Sequence, residues 1–380
     1  MSAADPPTRT AANGGVPRRP RSLFLDWRAI LGIAISATLL YFAFRGENFG
    51  DVAREIAGAD PLLFVLATAA ATFVFWIRAW RWKSLLAPVI DSTTFRSRFA
   101  AVCIGFMGNN LLPARIGEFA RAFALARMEP VSVVASFSTL VIERLFDGIA
   151  LVAILFLTTM LPDFPSAAFR ADSGFAIAAR TLGIFVVAGI VVLFLLVLWP
   201  ARTVRILERI VDRVLPGRLR RPVVDALEAF LAGASILRDV RLLARAGSWT
   251  VVLWLFNAFS FWLGLRAFGL DLPFTAALFL QSVVALAVSV PSSPGFFGPF
   301  ELATRAVLVD FWGQNVTQAV GFALGFHLAG FIPVTAIGLW YAWRLGLSLR
   351  GVAGSEEEVE EAVEEAVERE SHSGDGSAAL

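Results

Sequence analysis

The chain has 380 residues, 57% of them hydrophobic and 17% charged, with a mean hydropathy of +0.70 and a formal net charge of +2. No single soluble core accommodates the apolar runs Ile30 to Phe44, Pro61 to Trp80, Phe175 to Trp199, Trp249 to Phe268 and Val316 to Trp343, so the composition predicts an all-α polytopic membrane protein. The lone Cys103 excludes an intramolecular disulfide, and two histidines, His327 and His372, nearly exclude a His-based metal site or catalytic triad.

The small net charge conceals a division. Beyond Ser355 stand ten acidic residues and one Arg, which leaves 32 basic and 21 acidic residues elsewhere, a net of +11. Such an excess belongs near anionic headgroups, and its placement gives orientation.

In chain order, residues 1–28 are rich in Pro, Ala and Arg and read as a disordered basic cytoplasmic tail before a retained first span. Residues 45–60 carry two Arg against four acids and suit the outside. Residues 78–98 carry Arg78, Arg81, Lys83, Arg96 and Arg98 against Asp91 and suit the cytoplasm. The stretch 162–174 suits the outside, and 200–248, with ten Arg against five acids, the inside.

Between the inner residue 98 and the outer residue 162, the run Val131 to Leu161 supplies one crossing, so 99–128 must enter and return to the cytoplasmic side. By the same parity 274–312 enters and leaves from outside. About six full spans plus two re-entrant broken-helix hairpins result, with N and C termini cytoplasmic. The halves 29–161 and 175–345 each place a broken hairpin before a long span, about 185 residues apart, as expected for an inverted repeat. The cytoplasmic segment 200–248 is either an interfacial amphipathic helix or a solvated loop packed on itself. The acidic tail 346–380 is either an exposed helix or disordered.

Both hairpins break at polar and helix-disrupting residues: Asn109, Asn110, Pro113, Arg115, Gly117 and Glu118 in the first, and Pro291, Pro294, Gly295, Gly298, Pro299 and Glu301 in the second. In lipid, irregular backbone is tolerated only where protein buries it or a cavity wets it, so these breaks are expected to line a site. Arg115, Glu118 and Arg121 share a face after Pro113, at a helix N-terminus whose free N–H groups suit a phosphate or carboxylate. Glu143, Arg144 and Asp147 lie in the middle of the run from Val131. The two carboxylates, four residues apart, need a cation, a proton or an arginine between them, for which Arg115 or Arg121 is the expected donor. Glu301 and Arg305 are spaced to pair with each other. Gln281 and His327 suit hydrogen bonds between or within helices, and Gly321, Gly325 and Gly330 suit close helix packing.

As an ordered set, Asn109-Asn110-Leu-Leu-Pro113-Ala-Arg115-Ile-Gly117-Glu118, Arg121, Glu143-Arg144-Leu-Phe-Asp147 and Pro294-Gly295-Phe-Phe-Gly298-Pro-Phe-Glu301 resemble the flippase-like transmembrane domain of lysylphosphatidylglycerol synthases. The likeness covers roughly residues 25–345. It implies a domain of the bacterial or archaeal cytoplasmic membrane that moves an amphipathic lipid between leaflets. Two-domain members carry a following aminoacyl-transferase domain. An acidic tail stands in its place here, so a stand-alone member is expected, with a phospholipid, an aminoacyl-lipid, a hopanoid or a lipid-linked sugar as candidate substrate.

In the expected mechanism Arg115, Arg121 and Arg144 meet a headgroup phosphate, while Glu118, Glu143, Asp147 and Glu301 balance charge or bind a cationic moiety, and the halves rock. No nucleotide motif of the GxxxxGK type is present, so the drive would be an ion gradient, a proton on a carboxylate, or none. No cofactor, metal, catalytic residue or nucleic-acid partner is expected; the partners are membrane lipids and, as a candidate, a separate lipid-modifying enzyme. The rivals are an intramembrane enzyme acting on a headgroup, with Glu and Asp as acid and base, and a non-transporting scaffold.

Overall fold

The computed structural model describes residues 27–165, 239–289, 293–348, 352 and 354. The expected span 175–199, most of the segment 200–248 and nearly all of both tails lie outside the described residues.

Ten helices are described: α1 Trp27–Phe44, α2 Phe49–Ala57, α3 Pro61–Leu86, α4 Phe95–Leu111, α5 Gly117–Met128, α6 Val133–Thr158, α7 Val240–Ala267, α8 Phe274–Ala287, α9 Pro299–Ala306 and α10 Val316–Arg344. Their starts follow from capping chemistry. Asn48, Asp60, Thr94, Ser132, Asp239 and Asn315 each accept a hydrogen bond from a first-turn N–H of the helix that follows. Helices α3, α7 and α10, of 26, 28 and 29 residues, are long and apolar enough to cross a membrane. α6 has 26 residues but carries charges at its middle. The stretch 45–60, expected as an outer loop, contains α2, bent 80° from α1. α2 lies against α10, where a Cβ on Gly321 would meet the Glu55 Cβ at 2.7 Å.

The first hairpin is α4 and α5, joined by a one-turn 3-10 segment Pro113–Arg115. At 17 and 12 residues the two arms reach about 26 and 18 Å, short of the roughly 30 Å hydrocarbon core. Their backbones are in contact: a Cβ on Gly117 would lie 1.9 Å from the Gly105 carbonyl oxygen, so glycine is needed where the arms cross. The second hairpin is α8 and α9, joined through a 3-10 turn Pro294–Phe296, and continued by a π-helical turn Val307–Phe311.

The open ends of the hairpins lie at opposite ends of the bundle. The Thr94 N–H donates to Glu129 at 2.9 Å beside Phe99 and Tyr341, at the end where α3 and α10 finish. Phe279 and Phe311 meet at the end where α3 and α10 begin, next to Phe164. Packing is unchanged when α3, α4, α5 and α6 are exchanged for α7, α8, α9 and α10: α4 packs on α10 as α8 packs on α6, α5 on α6 as α9 on α10, and α3 on α7 is the shared seam. Gly338 against the Cys103 carbonyl sets the close approach of α10 to α4, and Gly264 against Phe326 sets that of α7 to α10. Gly330, expected to do likewise, meets nothing within 4 Å.

Candidate functional site

Both breaks have the same local form. Pro113 and Pro294 open 3-10 turns, and Arg115 and Phe296, two residues after each proline, hold φ of 58° and 62°. They are the two described non-glycine residues with positive φ, a conformation that costs of order 1–3 kcal/mol and persists only where surroundings enforce it. They also touch: the Arg115 guanidinium sits over the Phe296 ring at 5.4 Å and donates to the Val288 carbonyl at the end of α8. The two breaks therefore meet tip to tip.

One N–H at the start of each broken helix is already taken by a side chain. Asn109 Oδ1 accepts the Gly117 N–H at 3.0 Å, and Glu301 Oε2 accepts the Gly298 N–H at 2.7 Å, so a side chain from within each hairpin takes one of the donors an anion would use. Asn110 donates to Thr335 on α10 at 2.8 Å, fixing the first tip to the long helix. Gly295 and Gly298, at φ 75° and 103°, make the second turn possible.

Beside the first hairpin lies a buried cluster whose charges come from three helices, α3, α5 and α6. Glu143 is fully buried and Asp147 is 4% exposed. An arginine does lie between them, but it is Arg81 of α3, with Nη2 at 3.0 Å from Glu143 and Nη1 at 2.5 Å from Asp147. Arg121 of α5 grips Glu143 with two hydrogen bonds of 2.8 and 3.0 Å, while its guanidinium stacks 4.0 Å over Trp82. Thr250 and Trp254 of α7 complete the cluster, bonding to Arg81 and Asp147. Half-exposed Arg144 bridges outward to Glu118 at 3.3 Å.

Arg78 is the least satisfied of the buried arginines, since Arg81 and Arg121 also leave Nε unbonded but hydrogen-bond through both Nη atoms. Its side chain is 9% exposed and lies 3.6 Å from Asp147 and 3.8 Å from Glu143, yet its Nε and Nη1 make no hydrogen bond. Phe106 and Trp254 face the guanidinium at 5.2 and 5.6 Å. Arg78, Arg81, Arg121 and Arg144 against Glu118, Glu143 and Asp147 leave one positive charge in excess. Buried ions tolerate such proximity only when paired and hydrogen-bonded, so the excess favours an added anion.

Charge counting had put Arg78, Arg81 and Arg98 in an inner loop. All three are buried, the first two inside α3. The signal was present, since the pattern Trp76, Arg78, Arg81, Trp82, Leu85, Leu86 runs on without a breaker to Pro88 and places both arginines in a continuing helix. Glu301 does not pair with Arg305. It bonds His327 Nδ1 at 2.6 Å, and Arg305 turns to the Phe42 and Ala43 carbonyls of α1. Gln281 bonds Asn257 and the Trp254 carbonyl across to α7, an interhelical link. A cavity of about 870 Å³, lined by Arg96, Met128, Tyr341 and Arg344 among others, opens at the bundle end where α3 and α10 finish.

A family model for the lysylphosphatidylglycerol synthase transmembrane region matches residues 29–338. Glycosyltransferase AglD of Haloferax volcanii is 28% identical over 278 residues, 67% of this chain, which spans 44% of that longer protein. A UPF0104 membrane protein of Methanothermobacter thermautotrophicus is 22% identical over 323 residues, covering 82% of this chain and 92% of its own length. UPF0104 membrane protein MJ1595 of Methanocaldococcus jannaschii is 30% identical over 98 residues, 25% of this chain and 29% of its own. No solved structure matches the chain. The apolar helices, the paired breaks and the family match together identify a multi-pass membrane protein of the lysylphosphatidylglycerol synthase transmembrane-region family.

Proposed function

We propose that the protein translocates an amphipathic lipid with an anionic headgroup between the leaflets of a prokaryotic cytoplasmic membrane, and that it is a transporter rather than an enzyme. The observation that carries this reading is Arg78: a buried guanidinium with two nitrogens, Nε and Nη1, unbonded, inside a cluster with one surplus positive charge. Half-exposed Arg144 supplies the rim by which a phosphate would approach, and Arg115 at the meeting of the breaks adds a third cation. Arg121 and Arg81 are committed to carboxylates and serve to hold the cluster in place.

The exchange-symmetric packing supports an inverted repeat, in which rocking of one half on the other along the α3–α7 seam exposes the site to each leaflet in turn. Both termini are assigned to the cytoplasm. A family named for a lipid synthase and a relative named a glycosyltransferase favour a substrate made by a separate lipid-modifying enzyme, among them phospholipids, aminoacyl-lipids, hopanoids and lipid-linked sugars.

Reconstitution into liposomes with a panel of labelled lipids tests this. Leaflet exchange is expected in the wild type and loss of it in Arg78→Met and Arg144→Gln; equal exchange in all three sinks the site, and a chemically altered headgroup points instead to an enzyme. Orientation is read by single cysteines at the exposed positions Gly313 and Asp91, over the low background of the fully buried Cys103. Gly313 should label from outside and Asp91 from inside.

A further inference from the structure

The second hairpin holds a titratable pair that the charge cluster does not use. Glu301 of α9 is fully buried and bonds His327 Nδ1 of α10 at 2.6 Å, and the imidazole lies between Phe300 and Phe297, at ring distances of 4.2 and 4.6 Å. We propose that Glu301 and His327 form a proton-binding site that couples lipid translocation to proton movement; this rests on the translocation reading.

The pair holds one proton, on Nδ1 toward the carboxylate, and a second, entering at Nε2, drives the Nδ1 proton onto Glu301 and leaves a neutral imidazole and a carboxylic acid, a gain of one positive charge. His327 Nε2 makes no hydrogen bond among the described residues, and the residue keeps 8% exposure, which leaves that nitrogen as the port for the added proton. Other titratable groups on the elements packed around the pair engage elsewhere or lie at helix ends. They are Arg305 on the α1 carbonyls, Asp310 in the π-helical turn, Tyr41 on α1, Asp51, Arg54 and Glu55 on α2, Tyr341 and Arg344 at the far end of α10, Arg78 and Arg81 of α3 in the charge cluster with Lys83 near the end of that helix, Arg96, Arg98 and Cys103 on α4, and Arg241, Arg245 and Arg266 near the ends of α7.

The mechanical link is the second oxygen of Glu301. As a carboxylate it accepts the Gly298 N–H at 2.7 Å, a charge-assisted bond that pins α9 to the break. Gly298 in turn is wedged on α1, where a Cβ would fall 2.7 Å from the Ser36 carbonyl oxygen. Protonation weakens that bond and frees the turn bearing Phe296, the residue beneath Arg115 of the first hairpin. Proton occupancy thus changes the contact between the two breaks. A proton moving with a monoanionic headgroup also makes the transfer electroneutral, removing the membrane potential as an obstacle.

The test uses the full chain in liposomes with labelled phosphatidylglycerol, with and without an imposed pH gradient. It is paired with infrared difference spectroscopy of the purified protein on acidification. Wild-type exchange accelerated by the gradient, and loss of that acceleration in Glu301→Gln and His327→Gln, supports the proposal; Gln keeps an oxygen for the Gly298 N–H, so the turn is retained. Exchange indifferent to the gradient overturns proton coupling and leaves translocation standing. No exchange in the wild type refutes translocation of this lipid, and the spectra then decide the proton site. A carboxylic-acid band present in wild type and missing in Glu301→Gln supports it, and identical spectra overturn it.

Discussion

Replacing Arg81 with Met removes the cation between two buried carboxylates while keeping a long apolar side chain. The structure loses two bonds to Asp147, at 2.5 and 3.2 Å, a 3.0 Å contact to Glu143 and a 3.2 Å bond to Thr250. If lost interhelical hydrogen bonds were the whole effect, each would cost about 0.6–1.7 kcal/mol in a membrane setting. Orphaning a buried charge costs about 3–5 kcal/mol. Glu143 keeps Arg121, and Asp147 keeps Trp254 and Arg78 at 3.6 Å, which argues for the lower end, about 3 kcal/mol.

Because multi-pass proteins unfold irreversibly, the assay is apparent unfolding temperature in detergent at a fixed scan rate, followed by the intrinsic fluorescence of the 11 tryptophans. Arg81→Met should fall well below the wild type, and Arg81→Met with Asp147→Asn should recover much of the loss by discharging the orphaned acid. A single variant as stable as the wild type, or a double variant no better than the single, refutes the assignment of Arg81 as the bridging cation.

Gly117→Ala should prevent the α4–α5 hairpin from closing, because its Cβ falls 1.9 Å from the Gly105 oxygen; Gly330→Ala, with nothing within 4 Å, should change stability by no more than about 1 kcal/mol, and equal effects in a thermal-stability comparison would contradict the packing. Arg305→Met should release α1 from α9 and increase proteolytic cleavage in the 45–48 turn, with an unchanged cleavage pattern as the contrary result. Burial opposes ionisation of Glu129, but hydrogen bonds from Ser97 and Thr94, with Arg98 nearby, hold its carboxyl below the usual range. Its stabilising effect is therefore present above the unfolded value of about 4.3 and lost as pH falls through the lower folded value. Glu129→Gln should lower thermal stability at neutral pH, with the gap closing in acid; a pH-independent gap would show that the carboxylate charge is not the cause.

The breaks were legible in the sequence because Pro113, Gly117, Pro294 and Gly298 disrupt helices through local backbone sterics, and loop charges made them hairpins entering from opposite sides. The charge cluster was half legible. Glu143 and Asp147 announced a need for a cation through their spacing, a property of one helix. The identity of that cation depended on which neighbouring helix turned toward them, and Arg81 lies 66 residues from Asp147. Counting Arg78 and Arg81 as loop charges failed because charge composition is blind to how far a helix runs. The Glu301–His327 bond was hidden by a local alternative, since four-residue spacing to Arg305 offered Glu301 a partner on its own helix.

By itself the sequence determined a polytopic helical protein, two broken segments and the residue types gathered at them, all consequences of hydropathy and backbone preference acting over a few turns. Only the tertiary structure decided which charges are spent on one another and which guanidinium is left over. Pairing among buried ions depends on distances between helices remote in sequence, and those distances follow from glycine contacts and the meeting of two strained turns.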